Sequence, residues 1–472
     1  MMGQQDRDQS QLFYEFNLDE MIPSTHLLRR LNVFVAVALA DLHHQLKPFY
    51  SDIGRPSVDP ELMIRMLLVG YCYGIRSERR LCEEVKLHLA YRWFCKLDLD
   101  DKVPHHSTFS VNRLDRFRES DILRYIFGRV VAACMAAGLV KGEGFAVDAS
   151  VIEANASRYH GKAPDELDWT DAQRQRRAVA EYLTALDTEA RAEAERDGNA
   201  SGGSDGTPEP KPDRKQPKVI SPSDPQSAWT AKANKRVQFG YGLNYLVDVE
   251  HAVIVDVEAT PARTSDEVAA GKTMMARTER QFDLKPKWLA ADTAYGTGKF
   301  LAFVAAAGIT PHIPVWDKSE RQDGTFSRSD FVFDKKRNVY ICPAGKTLTT
   351  SGHVSTDHAI RYFASVPNCR ACALKPKCCP NMPARRIVRD INEDARDLAR
   401  RKMKTKAFLK SRDQRKRVEM RFAHLKTHHH FERLRLRGLS GARDEFHLAA
   451  IVQNLKTMAL RLLRPPPELA RV

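Results

Sequence analysis

The 472-residue chain lacks any long hydrophobic run. A membrane-spanning helix needs about 20 apolar residues, and the longest apolar stretch near the N-terminus, VFVAVALADL, is about half that length. The first residues, MMGQQDRDQS, are polar and contain no hydrophobic segment of a secretory signal. We therefore expect a cytoplasmic protein without a membrane partner.

Cysteine is scarce, with nine residues in the chain. Disulfides are rare in a reducing cytoplasm, so we expect reduced thiols or metal ligands. Cys342, together with the later run Cys369-x2-Cys372-x5-Cys378 and the adjacent Cys379, could hold a structural zinc ion tetrahedrally. Reduced thiols packed inside an insertion are the alternative. The other cysteines lie in helical segments and are expected in the core: Cys72, Cys82, Cys95 and Cys134.

Acidic residues are too few to balance the basic ones, with 60 Asp and Glu against 75 Lys and Arg, which gives a net charge of +15. This excess favours a polyanionic partner, nucleic acid first. Residues 396–437 alone hold 16 Lys and Arg against 4 Asp and Glu. Such a run is either a solvated face or a phosphate-contacting surface. Glu419, a candidate catalytic acid inside the run, favours the phosphate-contacting surface.

Three adjacent histidines, His428 to His430, follow this basic segment. Side chains of adjacent residues diverge, so we expect a solvated or phosphate-facing turn there and no metal site.

Residues 1–125 have the pattern of a helical domain. Asp59 can cap a helix whose first position is Pro60 and which Gly74 ends. Ser77 can cap a second helix, ERRLCEEVKLHLAYRWF, and Ser107 a third, TFSVNRLDRFR. These last two helices could form a DNA-reading helix-turn-helix with Ser107, Thr108, Asn112 and Arg113 as DNA contacts. An ordinary helical bundle is the alternative.

Residues 140–472 have a different pattern, in which strands alternate with helices. GFAVDAS predicts a strand ending on Asp148, FGYGLNYLVDV and AVIVDVEAT predict a hairpin, and KWLAAD predicts a strand ending on Asp292. Helices are expected at about 265–282 and 297–307, followed by the strand ITPHIPV and, at the C-terminus, a helix with a core-facing apolar side. This order predicts an α+β or α/β fold with a mixed sheet flanked by helices.

Two insertions interrupt this second domain. Residues 158–228 contain a charged helix at 165–196 and a Gly/Ser/Pro-rich stretch at 198–225 that we expect to be disordered. Residues 316–390 contain the cysteine cluster.

Three acids stand in positions where they could act together. Glu419 has Arg415 four residues before it and Lys426 seven after, which puts all three on one helical face. Asp148 and Asp292 end strands, where neighbouring side chains converge. Carboxylates suit Mg²⁺ or Mn²⁺, and two such ions can activate an oxygen nucleophile and relieve charge on a leaving oxygen. Acids that we take as structural are Glu153, Asp248, Asp256 and Asp266.

The segment RDQRKRVEMRFAHLK resembles the Tyr-x2-Arg-x3-Glu-x6-Lys signature of bacterial insertion-sequence transposases of the DDE type. Arg415, Glu419 and Lys426 match the spacing, and Arg412 occupies the tyrosine position. GFAVDAS and WLAADTAYGTGKF are similar to the two aspartate motifs. RPSVDPELMIRMLLVGYCYGIRSERRL and VPHHSTFS are similar to the helical N-terminal domain of the same group, most like the IS-eleven-eighty-two branch.

The resemblance implies an RNase H-like catalytic fold with Asp148, Asp292 and Glu419 as its triad, and DNA contacts from Arg415 and Lys426. Arg412, which departs from the signature, is a further candidate DNA contact. The implied protein binds the terminal inverted repeats of its element, cleaves the DNA and joins the 3′-hydroxyl end to target DNA. A homodimer or higher assembly on DNA, associated with the bacterial nucleoid, is expected. The alternatives are a metal-dependent nuclease without strand transfer and a catalytically inactive DNA-binding derivative.

Overall fold

The computed structural model forms two compact units. The first contains the residues up to 139, residues 424–431 and the residues from 444 on, and the second contains residues 140–423 and 432–443. The described residues are 15–54, 56–114, 116–170, 176–199, 217–231, 236–317, 321, 323–356 and 358–463. No helix among them is long and apolar enough to cross a membrane.

The first unit is helical, as predicted. Its N-terminal helices are α1 (Leu18–Met21), α2 (Leu27–Ala38), α3 (Leu42–Leu46), α4 (Pro60–Tyr73), α5 (Glu78–Leu87), α6 (Leu89–Phe94), α7 (Ser107–Leu114), α8 (Arg116–Glu119) and α9 (Ile122–Ala136). The start of α4 is as expected, because the Asp59 carboxylate accepts a hydrogen bond from the Glu61 amide. Gly74 ends α4 with a φ of 71°. The predicted second helix is divided into α5 and α6, because the backbone of His88 is extended.

Within the described residues, all the strands lie in the second unit. They are β1 (Gly144–Glu153), β2 (Ala228–Thr230), β3 (Gln238–Asp248), β4 (Val253–Pro261), β5 (Trp288–Ala290), β6 (Thr310–His312), β7 (Val332–Asp334), β8 (Val339–Ile341), β9 (Thr347–Thr349), β10 (Ala359–Ala364) and β11 (Arg386–Asp390). The remaining helices are α10 (Arg177–Asn199), α11 (Thr264–Phe282), α12 (Gly298–Ala306), α13 (Val366–Arg370), α14 (Lys375–Cys378), α15 (Glu393–Met403), α16 (Lys406–His428) and α17 (Gly438–Leu462). Helices α16 and α17 each have residues in both units.

The main sheet has the order β2-β3-β1-β5-β6, and β4 also pairs with β3. β1 runs antiparallel to β3 and parallel to β5, and β5 runs parallel to β6. An antiparallel hairpin on one side of the first strand and two parallel strands on the other side is the RNase H-like arrangement expected from the resemblance. The predicted mixed α+β fold with a helical N-terminal region is confirmed.

The core of this unit lies against the central strands. Buried side chains of β1, β3, β4 and β5 pack with side chains of α11, α12 and α15, among them Phe145, Val147, Leu246, Val255, Met274, Leu289, Phe300, Leu301 and Ala399. These apolar residues come from alternating strands and helices, which is why the sequence pattern predicted a sheet flanked by helices.

A second sheet occupies most of the predicted 316–390 insertion. Its antiparallel order is β11-β10-β9-β8-β7. A small separate core of Phe331, Tyr340, Leu348, Tyr362, Cys378, Cys379 and Ile387 holds it together.

The other insertion is more ordered than predicted where it is described. Residues 200–216 of the predicted disordered stretch lie outside the described residues, but Ile220 forms a bridge with Lys162. Asp224 is fully buried, and its carboxylate accepts hydrogen bonds from the Tyr241 hydroxyl at 2.5 Å and the Gly438 amide at 3.1 Å. These contacts order residues 217–225, so the prediction of disorder is wrong for them.

The first unit also includes sequence that we had assigned to the second domain. Along α17, Phe446, Ala449, Val452, Leu455 and Met458 are buried, which confirms the predicted core face. In the structure most of this helix belongs to the helical unit. The boundary near residue 140 therefore does not divide the chain into two continuous domains.

One buried ion pair fixes α11 on the sheet. The carboxylate of Asp256, which is fully buried in β4, lies 2.8 Å from Nε of Arg277. The same guanidinium lies 2.7 Å from Glu258 and donates to the Val257 carbonyl at 3.2 Å. Asp256 is therefore structural, as expected, and it depends on Arg277 for its neutralisation.

Replacing Arg277 should destabilise the chain strongly. Arg277→Met keeps much of the apolar side chain but leaves Asp256 buried without its cation, which costs about 3–5 kcal/mol. The matched Arg280→Met change, at an exposed position of the same helix, should alter the free energy of unfolding by no more than about 0.5 kcal/mol. Urea unfolding measures both, and equal stabilities would contradict the structural role of Arg277.

Candidate active site

Asp148 and Asp292 lie side by side because of the strand register. Ala146 of β1 pairs with Ala290 of β5 in the parallel ladder, and each aspartate follows its alanine by two residues. Asp292 therefore lies just past the end of β5, at the level of Asp148 in the interior of β1. Because β1 continues to Glu153, the prediction that this strand ends on Asp148 is wrong. The Asp148 carboxylate accepts from the Ala149 amide at 2.8 Å, and the Asp292 carboxylate caps a short helical turn through the Ala294 amide at 2.9 Å.

Helix α16 is held over this part of the sheet. The ring of Phe422 stacks on that of Tyr245, with centroids 4.9 Å apart and planes 11° apart. Tyr245 is the cross-strand partner of Asp148 on β3, so the stack places α16 at the level of that aspartate. Arg417 and Arg421 donate to carbonyls in the β3–β4 turn, the latter at 2.8 Å. Glu419, three residues before Phe422, is carried toward Asp148 by these contacts.

Arg415 lies between two of the acids. Its NH1 nitrogen is 3.4 Å from Oδ2 of Asp148, and its NH2 nitrogen is 2.8 Å from Oε1 of Glu419. The side chain of Asp148 is 16% exposed and that of Glu419 is 51% exposed. One guanidinium therefore joins a largely buried carboxylate on the sheet to a solvated one on the helix.

The charges of the three acids act on one another. The pKa of Asp148 is raised to about 6, mainly because the carboxyl is buried. The Ala149 amide and Arg415 oppose this rise, whereas the negative charges of Asp292 and Glu419 add to it. The three acids that the sequence singled out therefore lie near enough for the charges of Asp292 and Glu419 to act on Asp148.

Tyr295 is a neighbour of this site that the sequence analysis missed. Its ring is buried, and its hydroxyl has no hydrogen-bond partner among the described residues. Burial raises its pKa, and so do the charges of Asp148, Glu267 and Asp292. The only signal in the sequence was its position three residues after Asp292, which by itself does not distinguish a site residue from a core tyrosine.

Two parts of the chain match known protein families. Residues 16–115 match the family described as Transposase domain (DUF772), and residues 341–459 match the family described as Transposase DDE domain. Both matches support a DDE-type insertion-sequence transposase, as the resemblance in the sequence implied. The IS-eleven-eighty-two branch named from the sequence stays a prediction.

No curated protein sequence matches the transposase. Among solved structures, it is similar to the cryo-EM structure of a piggyBac transposase synaptic complex with hairpin DNA. The sequence identity is 9% and the TM-score is 0.34, and the match covers 94% of this chain and 83% of that chain.

The acids of the transposase fit a hard divalent ion by their chemistry. All three supply carboxylate oxygens, the ligands that Mg²⁺ and Mn²⁺ prefer. Within the described ranges, however, no three His, Cys, Asp or Glu side chains are gathered so that they could hold a metal ion as they stand. Arg415 supplies the positive charge beside Asp148 and Glu419 in this arrangement, so these side chains must turn away from it to hold metal.

The predicted DNA contacts differ in their accessibility. Arg412 is exposed on α16, and Lys426 lies on the last turn of the same helix. In α7, Ser107 is exposed and Thr108 is half-buried. These four residues remain predicted DNA contacts.

Asn112 and Arg113, the other two predicted contacts in α7, are buried. The Asn112 amide donates to the Thr108 carbonyl at 3.0 Å and accepts from Arg116 at 3.1 Å. Arg113 forms an ion pair with Glu78 at 2.6 Å. Because both side chains are used inside the helical unit, the prediction that they contact DNA is corrected.

The histidine run also differs from expectation. His429 is buried, and its Nδ1 lies 2.7 Å from the Tyr71 carbonyl. Burial lowers its pKa to about 4, with the charge of Lys456 adding to the effect. The predicted solvated or phosphate-facing turn is therefore wrong for this residue.

The cysteines divide as expected between the two units. Cys72, Cys82, Cys95 and Cys134 are buried in the helical unit. The remaining cysteines line one cavity of about 30 Å³ beside the second sheet: Cys342, Cys369, Cys372, Cys378 and Cys379.

Removing the buried charge at the site should stabilise the metal-free chain. The pKa of Asp148 is about 6 when folded against its usual 3.8, so the folded chain binds more protons between these values. The free energy of unfolding therefore falls as the pH rises from about 4 to about 6. In EDTA at pH 8 we expect Asp148→Asn to be more stable by roughly 2 kcal/mol, a figure reduced for partial exposure.

The gain should shrink toward pH 4, where Asp148 is protonated in both states. Asp283→Asn, at an exposed position with a φ of 50° that asparagine tolerates, is the control and should show no such trend. Urea unfolding across this pH range measures both variants, and a stability gain that does not change with pH would contradict the assigned cause.

Proposed function

We propose that the transposase cleaves phosphodiester bonds at the ends of its element and joins the 3′-hydroxyl end to target DNA, with Asp148, Asp292 and Glu419 as its catalytic acids. The observation that carries the proposal is the convergence of these acids from two adjacent parallel strands and one basic helix. A structural role alone does not account for them, because clustered carboxylates repel one another and destabilise the fold.

The proposed cofactor is a pair of Mg²⁺ or Mn²⁺ ions held by these three acids. When bound, the ions supply an activated oxygen nucleophile and charge relief for the leaving oxygen. The contribution of the chain is to hold the ligands on rigid elements. Asp148 and Asp292 are fixed by the strand register, and Glu419 by the stacking of Phe422 on Tyr245.

Arg415 is proposed to bind DNA phosphate beside the acids. A guanidinium recognises two phosphate oxygens through paired hydrogen bonds. In the DNA-free chain the same group contacts Asp148 and Glu419. Exchange of these carboxylates for a phosphate releases both acids for metal, so DNA and metal binding should favour each other.

Recognition of the terminal inverted repeats is proposed for the helical unit, with Ser107 and Thr108 at the start of α7. Arg412 and Lys426 on α16 would contact phosphates near the cleaved bond. An element has two ends that must be paired before joining, so at least two copies of the chain are expected on the DNA.

Loss of one acid should abolish the chemistry and leave DNA binding intact. With Mg²⁺, the element's own ends and a target plasmid, Asp292→Asn should cut and join at least about 10³-fold more slowly, because it loses metal stabilisation of several kcal/mol. Asp283→Asn changes the same functional group outside the site and should retain activity.

Gel analysis of nicked and joined products measures this prediction. Intact cleavage by Asp292→Asn would remove this residue from the site. Cleavage by the unaltered transposase without joined products would favour a metal-dependent nuclease over strand transfer.

A phosphate contact should change the salt dependence of binding. Each phosphate neutralised contributes about 0.9 to the slope of log affinity against log salt concentration, so Arg412→Gln should lower the magnitude of that slope by about 1. Lys336→Gln, the same loss of charge at an exposed turn of the second sheet, should leave the slope unchanged. Fluorescence anisotropy on element-end DNA measures both, and identical slopes would exclude Arg412 as a phosphate contact.

A further inference from the structure

The second sheet brings five of the nine cysteines to one place. Their positions span residues 342–379, yet all of them line the same cavity of about 30 Å³. Cys342 follows β8, whereas the other four lie in the segment between β10 and β11. The cavity therefore joins two parts of the chain that are separate in sequence.

The turn after β8 is shaped around the Cys342 sulfur. The Lys346 amide donates to this sulfur at 3.3 Å, and the Cys342 amide donates back to the Lys346 carbonyl at 2.8 Å. Gly345, with a φ of 71°, allows the tight turn between them. These contacts hold the Cys342 sulfur in a fixed position on the cavity wall.

Across the cavity, Cys379 is in direct contact with other thiols. Its side chain hydrogen-bonds to those of Cys369 and Cys378. Cys369 and Cys372 are joined by a turn in which the Cys372 amide donates to the Cys369 carbonyl at 3.3 Å. A tetrahedral zinc ion takes four ligands, so only one of Cys378 and Cys379 is needed beside Cys342, Cys369 and Cys372. The contact with Cys369 favours Cys379.

The surroundings suit a group of thiolates. Lys346, Lys375 and Arg385 line the same cavity, and no Asp or Glu is among its described lining residues. Positive side chains offset the charge of sulfur ligands. The sheet also needs such a link, because its strands are short and its own core is small.

We propose that this cluster binds one structural zinc ion through Cys342, Cys369, Cys372 and Cys379, tying the β8–β9 turn to the segment between β10 and β11. Four sulfur ligands are a usual set for a structural zinc site. Among the described side chains no three are placed to hold a metal as they stand, so the thiols must turn inward on binding. Coupling of this kind between metal binding and local folding is typical of small zinc sites. The fourth ligand differs from Cys378, which the spacing had suggested.

The test uses the full-length chain, reconstituted with zinc under reducing conditions, freed of loose metal and analysed by mass spectrometry for metal content. We expect one equivalent of zinc per chain for the unaltered protein and for Cys378→Ser. Cys369→Ser and Cys379→Ser should lose most of it. No bound zinc in the unaltered protein, or full zinc in both of these variants, would overturn the proposal. If Cys378→Ser loses the bound zinc and Cys379→Ser retains it, the choice of Cys379 as the fourth ligand is wrong.

Cobalt replacement separates metal ligation from a folding defect. The unaltered protein loaded with Co²⁺ should show the sulfur-to-cobalt charge-transfer bands and the visible absorption of a tetrahedral four-thiolate site. Octahedral cobalt absorption without charge-transfer bands would contradict the proposal. So would a disulfide among these cysteines that persists in the reduced, purified protein when thiols are counted by mass.

Discussion

The guanidinium of Arg415 lies between Asp148 and Glu419, where it offsets repulsion among three carboxylates. Burial and the neighbouring acids still raise the pKa of Asp148 to about 6, so one arginine compensates only part of the cost. A site of this kind is stable only because the surrounding elements hold it. Because Arg415 neutralises only part of the negative charge, the site can still bind cations. An arginine that contacts both acids can exchange them for a phosphate. A cluster whose charge was fully neutralised would gain little free energy by binding an ion.

The scaffold that tolerates this repulsion is built from interactions without charge at the site. Strand pairing sets Asp148 next to Asp292, and ring stacking between Tyr245 and Phe422 fixes the turn of α16 that carries Glu419. Arg417 and Arg421 donate to carbonyls of the β3–β4 turn. Some basic residues of α16 therefore anchor the helix, whereas others are proposed DNA contacts. A count of charges along the segment does not distinguish the two groups.

The sequence supports predictions only where the pattern lies within a few neighbouring residues. Asp148 and Asp292 were predicted from short apolar runs and Glu419 from its helical spacing to Arg415. The end of the first strand was misplaced, because β1 continues past Asp148 to Glu153. Tyr295 was missed because a buried tyrosine looks the same whether it faces acids or a core. Asn112 and Arg113 were misjudged because burial depends on packing, and Glu78 lies far from them in sequence. The grouping of α17 with the N-terminal helices was not predicted for the same reason. An apolar helix face in the sequence does not show which element packs against it.

The two proposed metal sites differ in ligand chemistry, and this difference has a physical consequence. The proposed catalytic acids offer oxygen ligands, with Glu419 half exposed, whereas the cysteines offer sulfur ligands around a cavity of about 30 Å³. Zinc binds most ligand sets more tightly than Mg²⁺ does, so affinity alone would let zinc occupy both. Thiolates raise the preference for zinc at the second sheet, while Arg415 competes with any ion at the acids. A weakly held, exchangeable ion suits catalysis, and a tightly held one suits a link between loops. Separation of hard and soft ligands into different sheets lets one chain meet both requirements.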